Sequence, residues 1–169
     1  LSDRQGIDGR ALDGAQVVDA DDSRPGSYLV LLQPAAAGEV QVGRLGELDL
    51  SGGVLVYAGS ALGPGGVGAR CAHHRRISPR PRWHLDYLRP HCQLIGIWAS
   101  FGRERLEHQW AQGLAAWPDA TVPLAGFGAS DCRCPAHLIR LPGPPTTRRL
   151  RALPGAGGAW LGGTTWHAC

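Results

Sequence analysis

Two apolar runs, each carrying one tyrosine, organise the first half of the chain: Gly26-Ser27-Tyr28-Leu29-Val30-Leu31-Leu32 and Gly53-Val54-Leu55-Val56-Tyr57-Ala58-Gly59-Ser60-Ala61. Their β-branched content and turn-forming flanks predict buried strands over residues 27–33 and 54–58. Weaker runs predict strands over 40–45 and 93–100, and residues 34–38 are short enough to join the first two strands as a hairpin. Gly63-Pro64-Gly65-Gly66 then breaks the pattern, and residues 67–76 can run as a helix with Arg70 and His74 one turn apart on one face. A second helix is predicted where Leu106, Trp110, Leu114 and Trp117 recur at helical spacing, stopped by Pro118. Glu107 adjoins that apolar stripe, which puts it at the edge of a core. The expected fold is α/β in the α+β sense, a small antiparallel sheet of about three strands flanked by helices.

The two ends lack this patterning. Residues 1–24 are polar, acidic and glycine-spaced, and read as a flexible arm before a domain spanning 25–140. Residues 141–169 turn to proline, glycine and arginine and read as a disordered tail, with Trp160 and Trp166 as the features able to dock. A chain of 169 residues suits one domain. Its five cysteines are an odd number and no signal-like segment accompanies them, which argues against a secreted disulfide scaffold. No apolar run has the length of a membrane span, so a cytoplasmic protein is expected.

Charge sharpens the picture through its distribution. The net charge is only +3. Residues 1–49 hold nine acids against four arginines, whereas residues 70–91 hold six arginines and four histidines against the single acid Asp86. Such a stripe suits a polyanion, and equally suits a solvated arginine-rich loop around Ser78-Pro79-Arg80-Pro81-Arg82.

At this point the residues resemble the GIY-YIG nucleases, whose two strand motifs correspond to Gly26-Ser27-Tyr28 and Tyr57-Ala58-Gly59. Further motifs similar to a small, poorly characterised branch of that superfamily are Tyr57-Ala58-Gly59-Ser60-Ala61, Trp83-His84-Leu85-Asp86-Tyr87-Leu88 and the run from Gly126 to Leu138. A lone strand tyrosine followed by glycine carries little information. The ordered set is what makes the resemblance specific, and it covers about residues 25–140.

The resemblance implies a DNA endonuclease, acting in repair or processing, with one divalent Mg2+ or Mn2+ ion. It implies catalytic roles for Tyr28, Tyr57, Arg70, His74 and Glu107. The tyrosines align or deprotonate water, Arg70 holds phosphate oxygens, and Glu107 binds the metal. An ordinary phenol has a pKa of about 10, so a tyrosine base needs a proton acceptor beside it, for which His74 is the nearest candidate. One carboxylate with water and phosphate oxygens is a sufficient magnesium site. Ser60, His73, Arg75, Arg76, Arg80, Arg82 and His84 are the expected DNA contacts. A helical 83–87 segment would turn His84 to the cleft, and an extended one would pair it with Asp86, with Trp83 and Tyr87 as core anchors.

Several readings compete. Each tyrosine can simply pack a sheet, Arg70 and Glu107 can be ordinary helix charges with Glu104 as a decoy, and the domain can bind nucleic acid without cutting it. Cys132, Cys134 and His137 suggest a zinc-stabilised interaction module, but one intervening residue is a tight cysteine spacing and no fourth ligand is near in sequence, so zinc is not expected. The superfamily's late asparagine has no counterpart in a chain without asparagine, leaving Ser130 or Asp131 for that role.

Overall fold

The computed structural model describes residues 22–155 and 158–161. Residues 1–21 of the expected arm, and Trp166, lie outside them. In chain order the elements are β1 (Gly26–Pro34), β2 (Glu39–Val42), β3 (Gly46–Asp49), β4 (Val54–Ala61), α1 (Gly66–Arg75), α2 (His84–Leu88), a 3-10 turn (Arg89–His91), β5 (Cys92–Phe101), α3 (Glu107–Ala115), β6 (Leu138–Leu141), α4 (Thr147–Arg151) and β7 (Ala159–Trp160). Five strands form an antiparallel sheet in the order β6-β4-β1-β5-β7, and β2 pairs with β3 in a separate ribbon. The mixed α+β class agrees with expectation, while the main sheet is larger than the anticipated three strands.

The expected hairpin between the first two strands does not form. Both edges of β1 are occupied by β4 and β5, so β2 has no edge to join. It pairs with β3, which the sequence reading missed, and the ribbon turns Val40, Val42 and Leu48 into the core.

Alternation along the central strand divides the apolar interior in two. Tyr28, Val30 and Leu32 pack on one face with Val67 and Cys71 of α1 and with Leu85 and Leu88 of α2. Leu29 and Leu31 pack on the other with Leu106, Trp110 and Leu114, the stripe predicted for α3. Helix α1 starts on a glycine and has no side-chain cap. The next two N–H groups of its first turn, on Val67 and Gly68, instead donate to the carbonyls of Arg24 and Asp22 at 3.0 and 2.9 Å. At the other end the buried Arg89 guanidinium donates to the carbonyl of His74 at 2.6 Å and to that of Cys92 at 2.7 Å, tying α1 to the start of β5.

The stretch read as a disordered tail contributes to the core wherever it is described. Leu150, Leu153 and Trp160 belong to the cluster on the α3 face. The Trp110 indole donates to the carbonyl of Pro154 at 2.7 Å, and Trp160 meets Trp98 edge-on with ring centroids 5.4 Å apart. Composition concealed this because each apolar anchor stands alone among proline, glycine and arginine, and its partners are distant in sequence. Among the described residues no helix is long and apolar enough to cross a membrane.

Truncation of Trp160 to alanine tests the packed tail. Removing a buried tryptophan should cost about 3–5 kcal/mol. Urea unfolding followed by circular dichroism should therefore show a clearly lower midpoint, whereas a tail detached from the core leaves the midpoint where it was.

Candidate active site

The cleft forms where the sheet loses a strand. Strand β6 covers β4 only from Val54 to Tyr57. Past that point the Ala58 N–H donates to the His137 carbonyl at 2.9 Å, the His137 N–H donates to Phe127 at 2.7 Å, and the loop from Gly126 to His137 replaces the strand. The carboxyl end of β4 thus opens into a recess of about 140 Å³, lined by Tyr28, Tyr57, Gly59, Ser60, Arg70, His74, Trp83, Glu107, Gly128, Asp131 and His137. All five residues expected to be catalytic share that recess, drawn from β1, β4, α1 and α3.

Two glycines make room for the tyrosines. Strand register sets Tyr28 opposite Gly59, and a Cβ on Gly59 would lie 2.6 Å from the phenol oxygen and its ring carbon. Gly128 has φ +71°, and a Cβ there would come within 2.7 Å of the Tyr57 ring. Each tyrosine therefore lies against a backbone that a larger residue would push away.

The buried Tyr28 hydroxyl and His74 Nε2 are 2.9 Å apart. Burial, followed by the neighbouring Tyr57, pushes the Tyr28 phenol well above its ordinary value. Burial and then Glu107 push Tyr57 up to about 12. Burial and then His73 push His74 down to about 3. At neutral pH the resting pair is phenol and neutral imidazole. The other ring nitrogen, Nδ1, is buried without a hydrogen-bond partner. In the tautomer with its proton on Nδ1, the ring accepts the Tyr28 O–H on Nε2.

Arg70 is half-buried, its guanidinium carbon 4.5 Å from the centre of the Trp83 ring. This cation–π contact gives a long side chain a platform at the cleft wall. Trp83 is therefore an exposed wall residue and not the expected core anchor, because it stands just before α2 with one face open. Tyr87 does pack against the core.

Glu107 is buried at the first position of α3. Its Oε1 lies 3.6 Å from Arg105 and 3.5 Å from His108 Nε2, while Oε2 is buried with no partner. A buried unpaired carboxylate oxygen in a polar cleft fits a cation. The position of Glu107 is set by Ser27, a residue that sequence reasoning passed over inside the first tyrosine motif. The wholly buried Ser27 hydroxyl accepts the Leu106 N–H at 3.0 Å and donates to the Glu104 carbonyl at 3.4 Å, fastening the start of α3 to β1. Glu104 itself is exposed and takes no part in the lining.

The expected DNA contacts separate into three groups. Ser60 lines the cleft. His73, Arg76, Arg80 and Arg82 line an adjoining groove of about 600 Å³ that shares Trp83 with it. Arg75 and His84 line neither. Arg75 occupies the last turn of α1 and is half-buried. The segment after Trp83 is helical from His84 to Leu88, yet His84 points away to accept the Gly128 N–H on Nδ1 at 2.9 Å and so braces the glycine beneath Tyr57. His73 is engaged with Asp86 at 2.7 Å. Burial alone would raise the Asp86 carboxyl, but the N–H of Arg82, the His73 ring and the N–H of Trp83 together hold it below its ordinary value. Asp86 thereby anchors α1, the arginine-rich loop and α2 to one another. Of the two candidates for the absent asparagine, Asp131 lines the cleft and Ser130 does not.

The depressed His74 pKa carries a stability consequence. Between its folded value of about 3 and its ordinary 6.5 the unfolded chain binds more protons, so this contribution is whole above pH 6.5 and is lost as pH falls toward 3. Replacing His74 with glutamine should make the loss of unfolding free energy between pH 7.5 and 5 smaller by about 2 kcal/mol. Urea titrations of both proteins at the two pH values test this, and equal losses would show that His74 is not held neutral.

No curated protein and no solved structure matches the chain. A family model described as "Domain of unknown function DUF123" matches residues 27–153, from the first tyrosine motif through α4 and the packed Leu153. The chain belongs to this family of domains of unknown function.

Proposed function

We propose that this chain is a GIY-YIG-type endonuclease that hydrolyses DNA phosphodiester bonds with one Mg2+ or Mn2+ ion, in DNA repair or processing. The observation that carries the reading is the convergence of Tyr28, Tyr57, Arg70, His74 and Glu107 on one cleft. Its volume of about 140 Å³ suits a phosphate group with attacking water, each water occupying about 30 Å³ of liquid. The neighbouring groove, with Arg76, Arg80 and Arg82 in its lining, offers positive charge for flanking phosphates.

Glu107 would hold the metal through its unpartnered oxygen. Bound there, the ion would supply Lewis-acid stabilisation of the developing charge on phosphate and leaving oxygens. The chain's own groups supply the rest. Tyr28 is the better-placed proton relay of the two tyrosines because His74 lies within hydrogen-bond distance of its hydroxyl. It takes a proton from the attacking water as it passes its own to Nε2, so a free tyrosinate never has to form. His74 is a weak acceptor in the empty cleft. A phosphodiester brought beside it adds negative charge, which favours the imidazolium and moves its pKa upward. Arg70, steadied on Trp83, donates to the non-bridging oxygens as charge builds on them. Tyr57 faces the same space and aligns the water.

Nicking of supercoiled plasmid and of a labelled branched DNA tests the reading. Glu107→Gln should abolish metal-dependent cutting while binding persists, and Arg70→Ala should slow cutting by about 10²–10³-fold. Undiminished cutting by Glu107→Gln refutes the metal assignment. Binding without cutting by every protein identifies a non-catalytic nucleic-acid-binding domain instead.

The groove makes a separate prediction. Replacing Arg80 and Arg82 with alanine should weaken DNA binding irrespective of sequence, and the slope of log affinity against log salt should become shallower by about 1 for each lost phosphate contact. Fluorescence anisotropy across a salt series measures it, and an unaltered slope removes the groove from the interface.

A further inference from the structure

Adjoining the cleft, whose wall His137 shares, two sequence-distant segments bring four metal-binding side chains together. His108 comes from the first turn of α3, and Cys132, Cys134 and His137 come from the loop that replaces β6. One ligand atom from each lies within 4.8 Å of all the others. We propose that these four residues form a closed tetrahedral zinc site. The sequence left the Cys-x-Cys and histidine run one ligand short, and the fold supplies the missing one from α3.

The distances favour coordination. Cys132 Sγ lies 3.3 Å from His137 Nε2, and Cys134 Sγ lies 3.4 Å from His108 Nδ1. With Zn–S of about 2.3 Å and Zn–N of about 2.0–2.1 Å, sulfur and nitrogen on adjacent corners of a tetrahedron are about 3.6 Å apart. Each of these two sulfur–nitrogen pairs thus already sits near the separation an ion would impose, and the two pairs lie within 4.8 Å of each other. A two-sulfur, two-nitrogen tetrahedral donor set suits zinc. The Cys134 N–H donates to Cys132 Sγ at 3.4 Å, an arrangement that stabilises a thiolate. His137 is buried and the two cysteines half-buried, so the centre is partly shielded from solvent.

The site also reaches the catalytic carboxylate. With Nδ1 of His108 on the metal, the ring proton resides on Nε2, which lies 3.5 Å from Glu107 Oε1. Zinc would therefore fasten the loop carrying Gly128 and Asp131 to the first turn of α3 and orient Glu107 from behind. Four protein ligands leave no open position, so the ion is structural and has no reaction of its own.

Metal analysis of the full chain, purified under reducing conditions from zinc-supplemented medium, tests this without any nucleic acid. The native chain should hold one equivalent of zinc after exhaustive desalting. Replacement by cobalt should give intense tetrahedral ligand-field bands and a thiolate-to-cobalt charge-transfer band. Cys132→Ser with Cys134→Ser should lower zinc content at least tenfold and abolish the charge-transfer band, while Cys71→Ala and Cys92→Ala should retain both. If the double-serine protein does not fold, the native cobalt spectrum and the zinc content of His108→Ala decide. A reduced native chain without zinc and without cobalt bands, or one with a Cys132–Cys134 disulfide in place of metal, overturns the site. The nuclease reading is unaffected by either result, because its own test is strand cutting.

Discussion

Everything at the cleft depends on the register of β1. This strand is paired on both edges, so a shift by one residue would exchange its two faces across the whole sheet. In the register adopted, Tyr28 lies opposite Gly59 and beside His74, while Ser27 reaches the opposite face and fixes the start of α3. A phenol and a hydroxyl adjacent in sequence thus position two walls of the cleft from opposite sides of one strand. The buried leucines and valines that flank them hold the register. The energetic cost of moving Tyr28 is therefore shared by the entire core.

The cleft is polar in a place where burial resists charge. Both tyrosines are held neutral as phenols and His74 as imidazole, chiefly by desolvation. Glu107 meanwhile keeps one buried oxygen without a partner. Such a set leaves a buried acceptor open in a cleft that is otherwise neutral at these groups. An ion pair with Arg70 would satisfy that oxygen. Arg70 is instead kept on Trp83, where it holds its charge beside the cleft.

Legibility in the sequence followed the range of the interactions involved. Strands β1, β4 and β5, and helices α1 and α3, were readable because apolar periodicity and glycine breaks are local signals. The site residues Tyr28, Tyr57, Arg70, His74 and Glu107 were named from motif order, and the fold brings them together. What escaped depends on partners far along the chain. Ser27 looked like an ordinary strand serine until α3 arrived above it, and nothing local marked Arg89 as the group that closes α1. The ribbon of β2 and β3 was missed because hairpin reasoning assumes that the neighbouring strand has a free edge. The tail was misread because single tryptophans and leucines among prolines have no period to detect. His84 shows the same limit in miniature: the local pattern allows its segment to be helical or extended, and the backbone amide it accepts lies in a loop that no local pattern connects to it.

The loop from Gly126 to His137 is where stability and chemistry meet. Apart from Phe127, Ala129 and Ala136 it offers few apolar groups to the core, so hydrophobic burial alone anchors it weakly. Its backbone is held by bonds to its own members, by His84 and by the Ala58 N–H of β4, yet it must hold Gly128 against Tyr57 and carry Asp131 and His137 into the cleft. A segment with those duties needs a fastening that does not depend on buried area. Four converging ligands from the loop and α3 would supply one, and would fasten it to the helix that begins with Glu107. The place where β6 stops is therefore both where the cleft opens and where the sheet gives up a strand, and the same loop has to answer for both.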